Sequence, residues 1–101
     1  MNPTQYQKRV AELALKRPDH LTNQELRLCH WCMGLAGEAG EVLEPLKKAI
    51  FQRKLLKIDD VKLELGDTLY YLTMIAEELG FTLEEVMQAN IDKLNIRYGD
   101  K

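Results

Sequence analysis

The chain has 101 residues, 46% hydrophobic and 30% charged, a balance that suits one globular domain and excludes intrinsic disorder. Its formal net charge of −2 argues against a dedicated nucleic-acid binder, which would carry a basic surplus. The expectation is a cytoplasmic protein with no nucleic-acid or membrane partner, residues 1–101 forming one domain. No apolar run approaches the roughly 18 residues of a membrane span, no signal-peptide core is visible, and two cysteines make no disulfide framework.

Helix signals punctuate the sequence, and strand signals are absent. Thr4 with Gln7 forms a capping-box pattern, and Pro18 closes a first helix near Arg17. Thr22 with Glu25 opens a long second helix reaching about Arg53. Asp59 or Asp60 caps a third helix, which Gly80 ends. Thr82 with Glu85 opens a fourth, stopped by Gly99. Leu65, Leu69, Leu72, Ala76 and Leu79 recur at helical steps and predict a buried stripe on the third helix; Met87, Ile91, Leu94 and Tyr98 do so on the fourth. The fold class is all-α, a four-helix, bundle-like domain.

The second helix offers two chemistries side by side in "LCHWCMGLAGEAGEV" (28–42). Cys29-x-x-Cys32 has the spacing of a redox dithiol or half a zinc site. A zinc site needs about four ligands, and a redox dithiol would open a helix after a strand. Neither context exists here, so packing, in the core or at a subunit interface, is the expected role of the pair. Glu38-x-x-Glu41 shares a helical face with Arg27, Trp31, Gly34, Pro45 and Lys48. Glu64-x-x-Asp67 repeats that acid spacing on the third helix, so antiparallel packing of the two helices would bring both pairs to one site. Four anions so gathered repel unless a cation sits among them. Hard carboxylate oxygens select Mg²⁺, Mn²⁺ or Ca²⁺. Gly34, Gly37 and Gly40 cost a helix up to about 1 kcal/mol each, which suggests close approach of another helix or a ligand. Pro45 removes a hydrogen bond to the Glu41 carbonyl and predicts a kink.

"GLAGEAGEVLEPLKKA" followed by "KLELGDTLYYLTMIAEELG" resembles the MazG-like all-α nucleoside triphosphate pyrophosphohydrolases, whose signature is E-x-x-E, a spacer, then E-x-x-D. Here 22 residues separate the two motifs, and "NIDKLNIRYGD" looks like the closing helix of that family. The resemblance implies Mg²⁺-dependent cleavage, with Mn²⁺ as a substitute, between the α- and β-phosphates of a nucleoside triphosphate. It also implies a homodimer or homotetramer. Carried over by position, Glu38, Glu41, Glu64 and Asp67 would be metal ligands, with Glu38 or Glu41 also handling the attacking water.

Triphosphate binding further needs cations. Asn90, Lys93 and Arg97 share one face of the last helix; the two cations are candidates for phosphate oxygens and Asn90 for ribose, phosphate or base. Lys48 on the carboxylate side is another candidate, and Arg53 and Lys54 lie in a loop able to reach a neighbouring subunit's site. Trp31, two turns before Glu38, is either core or a stacking platform for a base. Tyr71, one turn past Asp67, is a candidate for sugar or base.

Three other readings compete. A phosphoribosyl-ATP pyrophosphohydrolase would use similar acid pairs in a different helix context. A ferritin-like di-iron protein would need Glu-x-x-His motifs, and neither His20 nor His30 supplies one. A non-catalytic nucleotide- or metal-binding helical dimer gains little from gathering negative charge near phosphates.

Overall fold

Four helices follow one another in the computed structural model, which describes residues 1–99: α1 (Pro3–Leu15), α2 (Gln24–Phe51), α3 (Ile58–Leu79) and α4 (Leu83–Tyr98). No strand occurs among the described residues, and the chain is all-α as its sequence predicts. Asp100, within the segment "NIDKLNIRYGD", lies outside the described residues.

The helix starts depart from prediction in instructive ways. Asn2 caps α1 in place of Thr4: its side chain accepts from the Gln5 amide at 2.8 Å, and the Gln5 side chain accepts from the Asn2 amide at 2.9 Å. Pro3 at the first helical position presets the backbone two residues early. Asn23 caps α2 in place of Thr22, accepting from the Leu26 amide at 2.9 Å. Neither Asp59 nor Asp60 caps α3; Lys57 holds that position with no side-chain hydrogen bond, and both acids fall in the first turn. The Thr82–Glu85 box and Gly80, left-handed at φ 83°, stand as predicted. α2 continues through Pro45 as one helix.

α2 and α3 form an antiparallel hairpin, the dominant packing in the molecule. Its far end is pinned by Arg27, which donates to Glu78 at 2.5 and 3.2 Å and to the Leu21 and Thr22 carbonyls. The core gathers Val10 and Ala14 of α1, Trp31 of α2 and Met74 of α3, with Tyr6, Tyr70, Tyr71 and Ile75 against it. Buried Gln7 ties α1 to the start of α4: it donates to Glu77 and to the Phe81 carbonyl, and accepts from the Leu83 amide at 2.6 Å. Beyond that start α4 packs little, and it makes no packing with α2.

Three packing expectations are corrected or narrowed. The Leu65–Leu79 stripe is not the buried face of α3, for Leu65, Leu69 and Leu79 are all exposed. Ala76 alone of that stripe is fully buried; the buried face is shifted to Thr73 and Met74 beside it, because α2 covers α3 on the side of Tyr71 and Glu78. Leu69 and Leu72 instead line an open, largely apolar groove of about 750 Å³ with Tyr6, Leu83, Val86 and Met87. Cys29 and Cys32 are free and exposed, so they do not pack in the core of the single chain, which leaves the subunit interface as their expected place. Of the three α2 glycines, only Gly34 admits a close neighbour, the ring of Tyr71, whereas nothing lies within 4 Å of a Cβ placed at Gly37 or Gly40. No helix among the described residues is long and apolar enough to cross a membrane.

Candidate active site

Midway along the hairpin, α2 presents Glu38 and α3 presents Glu64 and Asp67. One carboxylate oxygen from each lies within 4.8 Å of the others. Each acid pair spans three residues, close to one helical turn, so both members lie on one side of their own helix. Glu38 and Glu64 are half-buried and Asp67 is exposed. The Glu38 carboxyl is pushed above the ordinary glutamate range, first by burial, then by the charge of Asp67, by a hydrogen bond with Glu64 and by the charge of Glu41. Among the described residues no ion pair joins a cation to Glu38, Glu64 or Asp67. Asp67 also helps to raise the phenol of Tyr6, after burial. Hard oxygen donors at this spacing, with no nitrogen or sulfur among them, fit a Mg²⁺-like cation.

Glu41 stands outside the three-acid group. It lines a cleft of about 410 Å³ that runs from Glu64 to the α2–α3 turn, beside Lys48, Lys54, Lys57 and Asp60. The sequence reading therefore finds the acids and two of the cleft lysines. It passes over Lys57, whose signal is the basic run 47–57 itself.

The remaining candidates are not assembled with the acids. Asn90 lines the apolar groove. Arg97 lies 5.8 Å from the Tyr98 ring centre, and Lys93 is exposed. Among the described residues no ion pair joins either cation to the cluster. α4 packs only lightly against α3 and α1 and not at all against α2, which carries Glu38.

Trp31 as a stacking platform is overturned: it is 1% exposed. Its indole N–H donates to Glu78 at 3.3 Å. His30 stacks on its ring at 4.9 Å, Tyr70 meets it edge-on, and the Arg17 guanidinium lies 5.6 Å from its centre. No face is left for a base. Tyr71, half-buried, belongs to the same cluster and fills the space over Gly34. Arg17 is the residue that sequence reasoning missed here. It reaches three aromatic rings while paired with Asp19 at 2.8 Å, an arrangement set by the loop after α1 and invisible to helical periodicity.

Residues 30–100 match the MazG nucleotide pyrophosphohydrolase domain. The chain belongs to this family. The match spans α3, α4 and most of α2, and so contains all four acids. Members are nucleotide pyrophosphohydrolases, typically dependent on a divalent metal. The chain is also similar to the Gene 37 protein of Mycobacterium phage L5, with 36% identity over 74 residues, 69% of this chain. It spans 65% of the length of that relative. No solved structure matches it significantly.

Proposed function

We propose that this chain is a Mg²⁺-dependent hydrolase that cleaves nucleoside or deoxynucleoside triphosphates between the α- and β-phosphates, releasing a monophosphate and pyrophosphate, in nucleotide-pool house-cleaning. The observation that carries this reading is the convergence of Glu38, Glu64 and Asp67 within 4.8 Å at the middle of the hairpin. Such a cluster is electrostatically unfavourable on its own and would become favourable with a divalent cation held by the three carboxylates. When bound, that cation polarises phosphoryl oxygens and eases ionisation of a water.

The residues of the chain divide the remaining tasks. Glu38, Glu64 and Asp67 would hold the metal, with Glu41 as a fourth ligand from the adjoining cleft. Glu41, outside the cluster but in contact with the same cleft, accepts the proton of the attacking water. Tyr71 orders the wall of the site through Gly34. Asn90, Lys93 and Arg97 act on a substrate held by a neighbouring copy, since α4 carries them away from the acids of its own chain. A homo-oligomer is thus part of the reading.

The test is a Mg²⁺-dependent hydrolysis panel over canonical and modified triphosphates, with products separated. Monophosphate plus pyrophosphate, lost in Glu38→Gln, is the expected result. Diphosphate plus orthophosphate would place cleavage at another bond and sink the proposal. A second readout is the melting temperature, which Mg²⁺ should raise in the wild type and leave unmoved in Glu64→Gln.

A further inference from the structure

The cleft at the α2–α3 turn has a composition that packing alone does not explain. Three lysines line it, Lys48 from α2, Lys54 from the turn and Lys57 from the cap of α3. None of the three has a carboxylate within 4.0 Å among the described residues, although Lys47 and Lys62 nearby are each paired. The turn is folded to hold them together. The Gln52 and Lys54 amides both donate to the Lys48 carbonyl, at 3.1 and 3.2 Å, and Arg53 between them takes a left-handed backbone at φ 52°. Lys57 stands where a helix start favours an anion or a short polar acceptor, and no side chain caps the free amides beside it. At the other end the cleft is bounded by Glu41 and Glu64. Glu44 and Asp60 also face it, and Glu44 is engaged by Lys47.

We propose that this cleft receives the leaving diphosphate of the substrate, with Lys48, Lys54 and Lys57 as its counter-ions. The proposal rests on the hydrolase reading above and gives that site a direction: β- and γ-phosphates toward the turn, nucleoside toward Gly34 and Tyr71. In the reaction, water oxygen bonds to the α-phosphorus. The bond from that phosphorus to the bridging oxygen breaks, and its electron pair stays on the diphosphate. One water proton passes to the cleft carboxylate. Negative charge therefore grows on the diphosphate as the bond breaks, and cations fixed at that end lower the barrier. The acids at the other end would repel a diphosphate that carries no metal, so the lysines supply the positive charge that this chain itself offers to that group.

The experiment is calorimetric titration of pyrophosphate with Mg²⁺ into the wild type and into K54A/K57A, with a nucleoside monophosphate titrated in parallel. Both lysines are exposed, so the double variant should keep its helicity, which circular dichroism checks. The double variant is expected to bind pyrophosphate about tenfold or more weakly, the loss of two ammonium–phosphate contacts. Monophosphate affinity should be unchanged, and K54R/K57R should restore pyrophosphate binding. Equal pyrophosphate affinity in the wild type and K54A/K57A, or no binding to the wild type, overturns the proposal. Hydrolysis is read separately on the wild type. Turnover with lysine-indifferent pyrophosphate binding removes the cleft assignment and leaves the reaction standing. Lysine-dependent binding without turnover of any triphosphate overturns the leaving-group role along with the hydrolase reading.

Discussion

A carboxylate among carboxylates is a strained residue, and Glu38 makes that strain measurable. Its charge is disfavoured by burial and by Asp67, Glu64 and Glu41. Glu38→Gln removes the repulsion with all three, each worth roughly 1 kcal/mol or less where solvent screens it. The metal-free variant should therefore melt slightly higher than the wild type while losing the rise that Mg²⁺ gives. A thermal melt with and without Mg²⁺ checks both signs at once. The three glycines of α2 invite a second comparison. Gly40→Ala meets nothing and should stabilise the isolated chain by up to about 1 kcal/mol through helix propensity. Gly34→Ala drives a methyl into the Tyr71 ring and should cost a net 1–2 kcal/mol, roughly, since overpacking outweighs the propensity gain. Denaturant unfolding of the two variants should move in opposite directions. The acids were legible in the sequence because their identity and spacing are local properties of single helices. Of the two roles open to Trp31 the core one holds; the sequence could not decide between them, because what closes its faces comes from a loop residue, Arg17, and from another helix through Tyr70.

Helices were legible as elements, but the direction in which each faces was less so. Periodicity located α3 and its apolar stripe, yet α2 covers a neighbouring strip, since the residues that lock the pair are Tyr71, Met74 and Glu78. An apolar stripe says that a face wants covering without saying by what. The hairpin lock itself is polar. The Glu78 side chain, 10% exposed, takes two hydrogen bonds from Arg27 and one from Trp31. These hold its carboxyl below its ordinary value of 4.5, chiefly through Arg27. A depressed folded-state pKa contributes stability that is complete above the unfolded value and is lost as pH falls through the folded one. The melting temperature of the wild type should thus decline as pH drops below 4.5. In Glu78→Gln that share of the acid slope should vanish, with a loss at neutral pH of about 1–2 kcal/mol from the weakened charge-assisted contacts. Asp19, held low by Arg17, adds a component in the same direction, so Glu78→Gln should flatten the slope without abolishing it.

Taken as a whole, the molecule is too open for its size. Its Cα radius of gyration is 16.2 Å, against about 13 Å for a compact chain of about 100 residues. Its accessible surface is 7780 Å², against about 5,900 Å² from the scaling for folded monomers of 11.7 kDa. The difference, near 1,900 Å², exceeds the about 800 Å² that each partner buries in a standard interface. The surplus is apolar where it matters: Leu69 is 39% exposed and Met87 50%, facing one groove. A second copy seated there would cover the stripes on α3 and α4 that the sequence marks for burial. It would also bring a foreign α4, with Lys93 and Arg97, near a hairpin whose own α4 points away. The wild type should accordingly elute as a dimer or larger species in light-scattering chromatography, and Met87→Glu should convert it to monomer. Because Met87 is half-exposed in the single chain, the variant monomer should keep its helicity, which separates loss of assembly from loss of fold. If the oligomer supplies phosphate-binding cations, that monomer should also lose turnover while retaining the Mg²⁺-dependent rise in melting temperature, for the three acids lie within one chain. A wild type that is monomeric and fully active would refute the shared site and return Lys93 and Arg97 to solvent.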